Sequence, residues 1–267
     1  MSDVLLRDIS DGVAVLTLKR PDRLNAWTTE LEFAYFGALR ECAEDPDVRV
    51  IVVTGAGRGF CAGADMNDLQ GLGSGEIDAD ERHAERLPQS FPLTIPKPVI
   101  AAINGPVAGI GLVQALMCDL RFAAAGAKFT TAFARRGLIA EHGISWILPR
   151  LIGPAKALDL LFSARVLLAE EAAELGLVNR VVAPEELLDA TLAYARDLAA
   201  NCSPTSMATM KQQVYAALDQ DRDTALAEAN ALMFESFARE DFREGVASFV
   251  EKRPPAFPPV GATSLSS

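Results

Sequence analysis

The sequence predicts an α/β core followed by a helical C-terminal region. Before Pro184, short apolar segments typical of buried strands alternate with segments of helical periodicity, whereas only the helical periodicity continues after it. Half of the 267 residues are hydrophobic, so the chain can bury a sizeable core. We therefore expect the core in residues 1–183, a helical region in residues 184–257 and a disordered, Pro/Gly/Ser-rich tail in residues 258–267.

Two strands and a helix open the predicted core. Residues 12–18 alternate between apolar and other side chains and predict a strand. Thr29 and Glu32 have the capping-box spacing, so we expect Thr29 to cap a helix that runs to about Ala43. The apolar residues 47–54 predict the second strand.

Glycine-rich loops follow two of the predicted strands. Residues 55–64 come after the second strand, and Asp65 is expected to cap a short helix. The third strand, residues 99–103, leads into a tight turn at Asn104-Gly105 and a helix that ends near Met117. Because helix N-termini present free N–H groups, two such loops can each donate a hydrogen bond to one oxygen.

The rest of the chain is less regular at first and then becomes helical. Residues 71–97 combine glycines, a dense run of charge and several prolines, and we expect them to be the least ordered part of the core. Further strands are predicted at residues 119–123, 127–130 and 178–182. Further helices are predicted at residues 143–151, 154–162, 168–175, 184–200, 204–218, 221–238 and 240–251.

Composition excludes several classes of function. The net charge of −11, with no basic tract, argues against nucleic acid as a partner. Neither a signal peptide nor a membrane span is visible, so we expect a cytoplasmic protein without a membrane partner. Four cysteines without a CxxC pair and two histidines indicate reduced thiols and no metal site. A dinucleotide fingerprint is excluded because Phe60 occupies the place of its third glycine.

Six segments, spread in order over residues 10–257, carry a more specific signal. They are residues 60–65 (FCAGAD), 102–105 (AING), 117–119 (MCD), 148–153 (LPRLIG), 173–178 (AELGLV) and 249–253 (FVEKR). Together they resemble the crotonase family, also called the enoyl-CoA hydratase/isomerase family. The resemblance implies a spiral of ββα units, a C-terminal helical trimerisation region, and a homotrimer or dimer of trimers. It also implies an acyl-CoA substrate and no separate cofactor.

The resemblance places an oxyanion hole at the backbone N–H groups of Ala64 and Ile110. Isoleucine stands at position 110 where the family usually has glycine, but the N–H is retained. A thioester carbonyl gains negative charge when an α-proton leaves, and one preorganised donor contributes about 2.7–4 kcal/mol. The implied CoA-binding residues are Arg23, Leu24, Ala62, Asp65, Phe249 and Lys252.

The acid/base residues distinguish this chain from typical hydratases of the family. The two glutamates of those enzymes correspond here to Val113 and Phe133. Glu141 instead matches the position where some isomerases of the family keep their single catalytic acid. Burial among the neighbouring apolar residues Leu138, Ile139, Ile144 and Trp146 is expected to raise its pKa toward neutrality. A surface glutamate that caps a helix is the alternative interpretation of Glu141.

One carboxylate suffices for a 1,3-proton shift, so we expect conversion of a 3-enoyl-CoA to a 2-enoyl-CoA. Hydration or another thioester reaction, such as hydrolysis or decarboxylation, is the first alternative, and a non-catalytic acyl-CoA binder is the second. Hydration normally requires a second group to handle the water. Candidates for that group are His142, Asp68, Asp80, Glu81, His83 and Glu85.

Overall fold

A computed structural model describes residues 3–74 and 86–260, and a six-stranded sheet lies at the centre of this part of the chain. Its strand order is β1-β2-β3-β4-β6-β9. β1 and β2 pair antiparallel, and the other neighbours are parallel. The strands are β1 (Leu5–Ser10), β2 (Val13–Leu18), β3 (Val50–Gly55), β4 (Val99–Ile103), β6 (Leu120–Ala124) and β9 (Arg180–Val182).

A second, three-stranded sheet and a set of helices surround the main sheet. The small sheet has the order β5-β7-β8 and consists of β5 (Val107–Ala108), β7 (Lys128–Thr130) and β8 (Leu167–Leu168). The helices of the core are α1 (Thr29–Glu44), α2 (Met66–Ser74), α3 (Ile110–Leu116), α4 (Ile144–Ile152), α5 (Pro154–Ser163) and α6 (Ala169–Leu175). The C-terminal helices are α7 (Leu187–Asn201), α8 (Pro204–Ala217), α9 (Arg222–Ala238) and α10 (Glu240–Glu251).

The central strands are covered on both faces. Every residue of β3 and β4 is buried, as expected for parallel strands between layers of helices. α1 packs against β1 and β2, and α7 contacts β2, β3, β4 and β6. The first C-terminal helix therefore covers the sheet, although the sequence pattern places it beyond the end of the α/β core.

Three local details differ from the sequence-based expectations. Residues 5–10 form an edge strand that no pattern predicted, since only Leu5 among them is buried. The cap of α1 is Thr28, whose hydroxyl accepts from Leu31 N at 3.2 Å, and not Thr29. The helix after the Asn104-Gly105 turn begins only at Ile110, because β5 intervenes and pairs with β7.

The C-terminal segment folds back onto the core. Arg49 Nη2 donates to the carbonyl oxygen of Phe257 at 2.8 Å, and Val260 is only 5% exposed. The rest of the predicted tail, residues 261–267, lies outside the described residues. Among the helices that the structure describes, none combines the length and apolar character needed to cross a membrane.

Candidate active site

The two glycine loops lie side by side in parallel register. Cys61 and Val107 form a parallel bridge, and Ala108 N donates to Cys61 O at 3.0 Å. Three residues further along both loops, the same register places Ala64 opposite Ile110. The glycines that precede these two residues are close, because a methyl group added to Gly109 would lie 3.9 Å from Gly63 Cα.

The N–H groups of Ala64 and Ile110 are both available to a ligand. Trp27 N donates to Gly63 O at 2.8 Å and Trp27 O accepts from Asp65 N at 2.9 Å, so the residues flanking Ala64 make the bridge and its own N–H points away from Trp27. Ile110 is the first residue of α3, where the helix provides no acceptor for the N–H. Within the described residues, neither N–H has a hydrogen-bond acceptor.

Both amides face one cavity of about 1140 Å³. Its glycine and apolar lining residues are Ala26, Trp27, Ala62, Gly63, Ala64, Met66, Gly109, Ile110, Ala132, Phe133 and Leu138. Its polar lining residues are Arg23, Glu32, Asp65, Asn67, Gln70, Arg86, Arg136, Glu141 and His142. The cavity thus contains both predicted oxyanion donors and the predicted acid.

Glu141 lies in the turn that precedes α4, and its side chain is 31% exposed. Burial raises the pKa of this carboxyl group above its ordinary value, as a proton-transfer base requires. The helix-capping alternative finds no support, because the N-cap of α4 is Gly143 and no side chain caps this helix. One expected neighbour contributes nothing to the burial: Ile139 is 78% exposed.

His142 is the nearest described titratable partner of Glu141, with its Nε2 3.5 Å from Glu141 Oε2. The backbone is left-handed at His142 (φ 58°) and at Gly143 (φ 82°), so neither Glu141 nor His142 is helical. Both side chains therefore reach the same cavity despite being adjacent in sequence. Of the other candidates for a second group, Asp68 does not line the cavity, and Asp80, Glu81, His83 and Glu85 lie outside the described residues.

The two positions that hold glutamates in typical hydratases are apolar parts of this site. Val113 is completely buried in α3, and Phe133 is 5% exposed and lines the cavity. Neither position can supply or accept a proton. Among the described carboxylates, Glu32, Asp65 and Glu141 line the cavity.

The predicted CoA-binding residues fall into two groups. Arg23, Ala62 and Asp65 line the cavity. The Asp65 carboxylate accepts from Arg20 Nη2 at 2.9 Å and from Asn67 N at 3.1 Å, which lowers its pKa and makes it the expected cap of α2. Leu24 O accepts from Ala62 N at 3.0 Å and so positions this loop.

Phe249 and Lys252 form the second group. They lie at the C-terminal end of α10, both are exposed, and neither lines the cavity. Their contact with CoA stays a prediction.

Sequence reasoning missed three charged residues of the cavity: Glu32, Arg86 and Arg136. A signal for Glu32 was present. It shares a helix face with Phe36 and Leu39, at spacings of four and seven residues, and a charge on an apolar face indicates a buried polar contact. Arg86 and Arg136 come from irregular segments, where no periodicity shows which side chains turn inward.

Comparison with known proteins supports one family assignment over nearly the whole chain. The family model for enoyl-CoA hydratase/isomerase matches residues 8–259. The 1,2-epoxyphenylacetyl-CoA isomerase of Escherichia coli (strain K12) is 38% identical over 263 residues, which are 96% of this chain and 99% of the relative.

Solved structures agree. A probable enoyl-CoA hydratase/isomerase from Mycobacterium abscessus matches with a TM-score of 0.87 and 33% identity, over 96% of this chain and 98% of the other. An enoyl-CoA hydratase from Mycobacterium marinum is 55% identical with a TM-score of 0.69, over 80% of this chain and 98% of the other. These matches confirm the predicted crotonase-like α/β fold with C-terminal helices. The chain therefore belongs to the enoyl-CoA hydratase/isomerase family.

Proposed function

We propose that this member of the family is an isomerase that moves the double bond of a 3-enoyl-CoA to give a 2-enoyl-CoA. The observation that carries the proposal is that Glu141, Ala64 and Ile110 line one cavity. The apolar residues at positions 113 and 133 favour a reaction that needs one carboxylate and no activated water. The similarity to a relative named as an acyl-CoA isomerase is consistent with this choice.

The proton transfer uses Glu141 twice. Its carboxylate removes the proton from C2 of the 3-enoyl thioester, and the electrons of the C2–H bond pass into a dienolate. The N–H groups of Ala64 and Ile110 stabilise the negative charge that develops on the thioester oxygen. The protonated Glu141 then returns the proton to C4, which leaves the double bond between C2 and C3 and restores the carboxylate.

The open end of the cavity suits the polyanionic part of CoA. Arg23 and Arg136 are both exposed and both line the cavity, on a protein whose net charge is −11. Arginine binds phosphate through planar, paired N–H donors, and a local pair of arginines offsets the overall repulsion of an anion. Lys252 and Phe249 stay the predicted contacts at the nucleotide end.

The decisive experiment compares wild type with Glu141→Gln on a 3-enoyl-CoA, with Glu240→Gln as an exposed control. We expect kcat to fall about 100- to 10,000-fold in Glu141→Gln, because a general acid/base group is lost, and to stay unchanged in the control. Isomerisation at the wild-type rate in Glu141→Gln would contradict the assignment.

Hydration is the second candidate, and the 3.5 Å approach of His142 Nε2 to Glu141 favours it over hydrolysis and decarboxylation. A histidine at this distance could handle the water that the absent glutamates handle in typical hydratases. Reaction in ¹⁸O-labelled water separates the two functions. An isomerase product contains no label, whereas a hydratase product carries labelled oxygen.

The predicted homotrimer or dimer of trimers is part of the same proposal. Helices α8–α10 expose large apolar side chains, including Met210 (61% exposed), Phe234 (67%) and Phe249 (85%). Apolar surface of this kind is typical of a protein interface. Light scattering of the purified protein should give the mass of three or six chains, and a monomeric mass would exclude both assemblies.

A further inference from the structure

A buried ion pair in the cavity wall has no part in the proposed proton transfer. Glu32 is 3% exposed, and its Oε1 lies 3.3 Å from Arg86 Nε, whose side chain is 12% exposed. Both residues line the cavity. Burying two charges beside a binding site is costly unless their hydrogen-bonding capacity is used, so the pair requires an explanation.

The hydrogen bonds of Glu32 are incomplete. Its Oε2 accepts from Trp27 Nε1 at 3.0 Å and from Gln89 Nε2 at 3.1 Å. Its Oε1 has no hydrogen-bond donor among the described residues, because the approach of Arg86 Nε lacks hydrogen-bond geometry. A carboxylate can accept about four hydrogen bonds, so Glu32 retains acceptor capacity.

Arg86 likewise retains donors. Its Nη2 donates to Thr29 Oγ1 at 2.8 Å, which uses one of the five N–H groups of a guanidinium. Within the described residues, Thr29 and Glu32 are its polar partners. The pair therefore offers the cavity a donor and an acceptor that are close together, with their charges already balanced.

The pair lies at the inner end of the cavity, away from the exposed Arg23 and Arg136. Gln89 connects Glu32 to α3, since its Oε1 accepts from Gln114 Nε2 at 2.5 Å. Gln114 is one turn beyond Ile110 in the same helix, about 6 Å along its axis. A thioester held at Ala64 and Ile110 with its CoA toward the exposed arginines would direct its acyl chain toward Glu32 and Arg86.

We propose that Arg86 and Glu32 bind a hydroxyl group on the acyl chain, so that the preferred substrate is a hydroxylated acyl-CoA. This inference rests on the proposed acyl-CoA function. A hydroxyl accepts from Arg86 and donates to Glu32 in one position. A purely apolar chain would leave both groups unused, and a carboxylate would add an uncompensated negative charge to a balanced buried pair.

The test measures binding, which needs no turnover. Calorimetry compares octanoyl-CoA with its terminally hydroxylated analogue, and likewise the hexanoyl and decanoyl pairs, since these saturated thioesters have no double bond to move. We expect the hydroxylated thioester of the matching length to bind wild type about tenfold more tightly or better, because the bond involves charged groups. The exposed control Glu30→Gln should keep this preference.

Two variants remove the pair. Glu32→Gln should weaken the preference, and the double variant Glu32→Leu/Arg86→Met should reverse it in favour of the plain chain. The double variant is expected to fold, because apolar residues of similar volume often replace a buried ion pair without loss of stability. Equal binding of both members of every pair by wild type, or an unchanged preference in a folded double variant, would overturn the inference alone. Binding of no thioester at all would also overturn the proposed function.

Discussion

Replacing Ile110 by proline tests the oxyanion hole directly, although its donors are backbone groups. Ile110 is the first residue of α3, where proline is well tolerated because the N–H makes no bond within the helix. The preceding Gly109 has φ 50° and ψ −125°, the mirror image of the extended conformation that residues before proline adopt, and glycine can occupy it. Ile110→Pro should therefore remove the N–H and leave the loop in place.

The expected loss follows from the two donors of the site. Removing one preorganised donor costs about 2.7–4 kcal/mol of transition-state stabilisation, or about 100- to 1000-fold in kcat. Ile110 is 6% exposed, so losing part of its side chain also affects packing. Ile110→Ala is the matched control, because it deletes more of the side chain than proline does but keeps the N–H. Its stability should fall by up to about 2–5 kcal/mol, with little change in kcat of the folded enzyme.

The assay measures kcat on a 3-enoyl-CoA for both variants, together with urea unfolding to confirm that each is folded. The oxyanion role predicts that Ile110→Pro is much slower than Ile110→Ala even though it is no less stable. Equal kcat values for the two folded variants would refute the role of Ile110 N–H as a donor.

Three further predictions concern protonation and packing. Because Glu141 must be ionised to accept a proton, kcat/KM should fall as the pH drops through its pKa, and since burial raises that pKa the decline should centre above the ordinary value of 4.5; a pH–rate profile with its midpoint at or below 4.5 would contradict this. Gly111→Ala should destabilise the fold by about 1–3 kcal/mol in urea unfolding, since the added methyl would lie 2.4 Å from Cys61 O. Gly37→Ala in α1, where the added methyl meets nothing within 4 Å, should stabilise it by up to about 1 kcal/mol, so the same sign for both variants would count against the packing. Lys211→Met should cost about 3–5 kcal/mol, because it leaves Asp119 without the cation that donates to it at 2.8 Å, whereas the exposed Lys128→Met should be neutral; equal unfolding midpoints for the two would be the contrary result.

Much of the backbone and part of the site were predictable from local patterns. The strand Val99–Ile103 and the four C-terminal helices match their predicted positions within a few residues, because each carries its own periodicity and its own glycine or proline boundaries. The cap of α1 was misplaced by one residue, since Thr28 and Thr29 can both cap and the difference depends on backbone angles. The edge strand β1 was missed because its partner β2, and not its own burial, holds it.

Glu141, Ala64 and Ile110 could be found because each lies in a short motif, and the structure brings all three to one cavity. Glu32 shows the limit of such reasoning. The capping-box pattern assigned its side chain to the start of α1, but in the folded chain the carboxylate meets Trp27, Gln89 and Arg86. Gln89 and Arg86 are more than 50 residues away in the chain, and no local pattern contains them.

The sequence by itself therefore determined the elements, the family motifs and the identity of the acid, because these depend on neighbouring residues along the chain. Only the tertiary structure decided which side chains share the cavity. It turned Glu141 and His142 to the same side through two left-handed residues, and it buried Glu32 against Arg86. Such contacts depend on how distant segments pack, since a side chain's environment is set by what lies across from it in space.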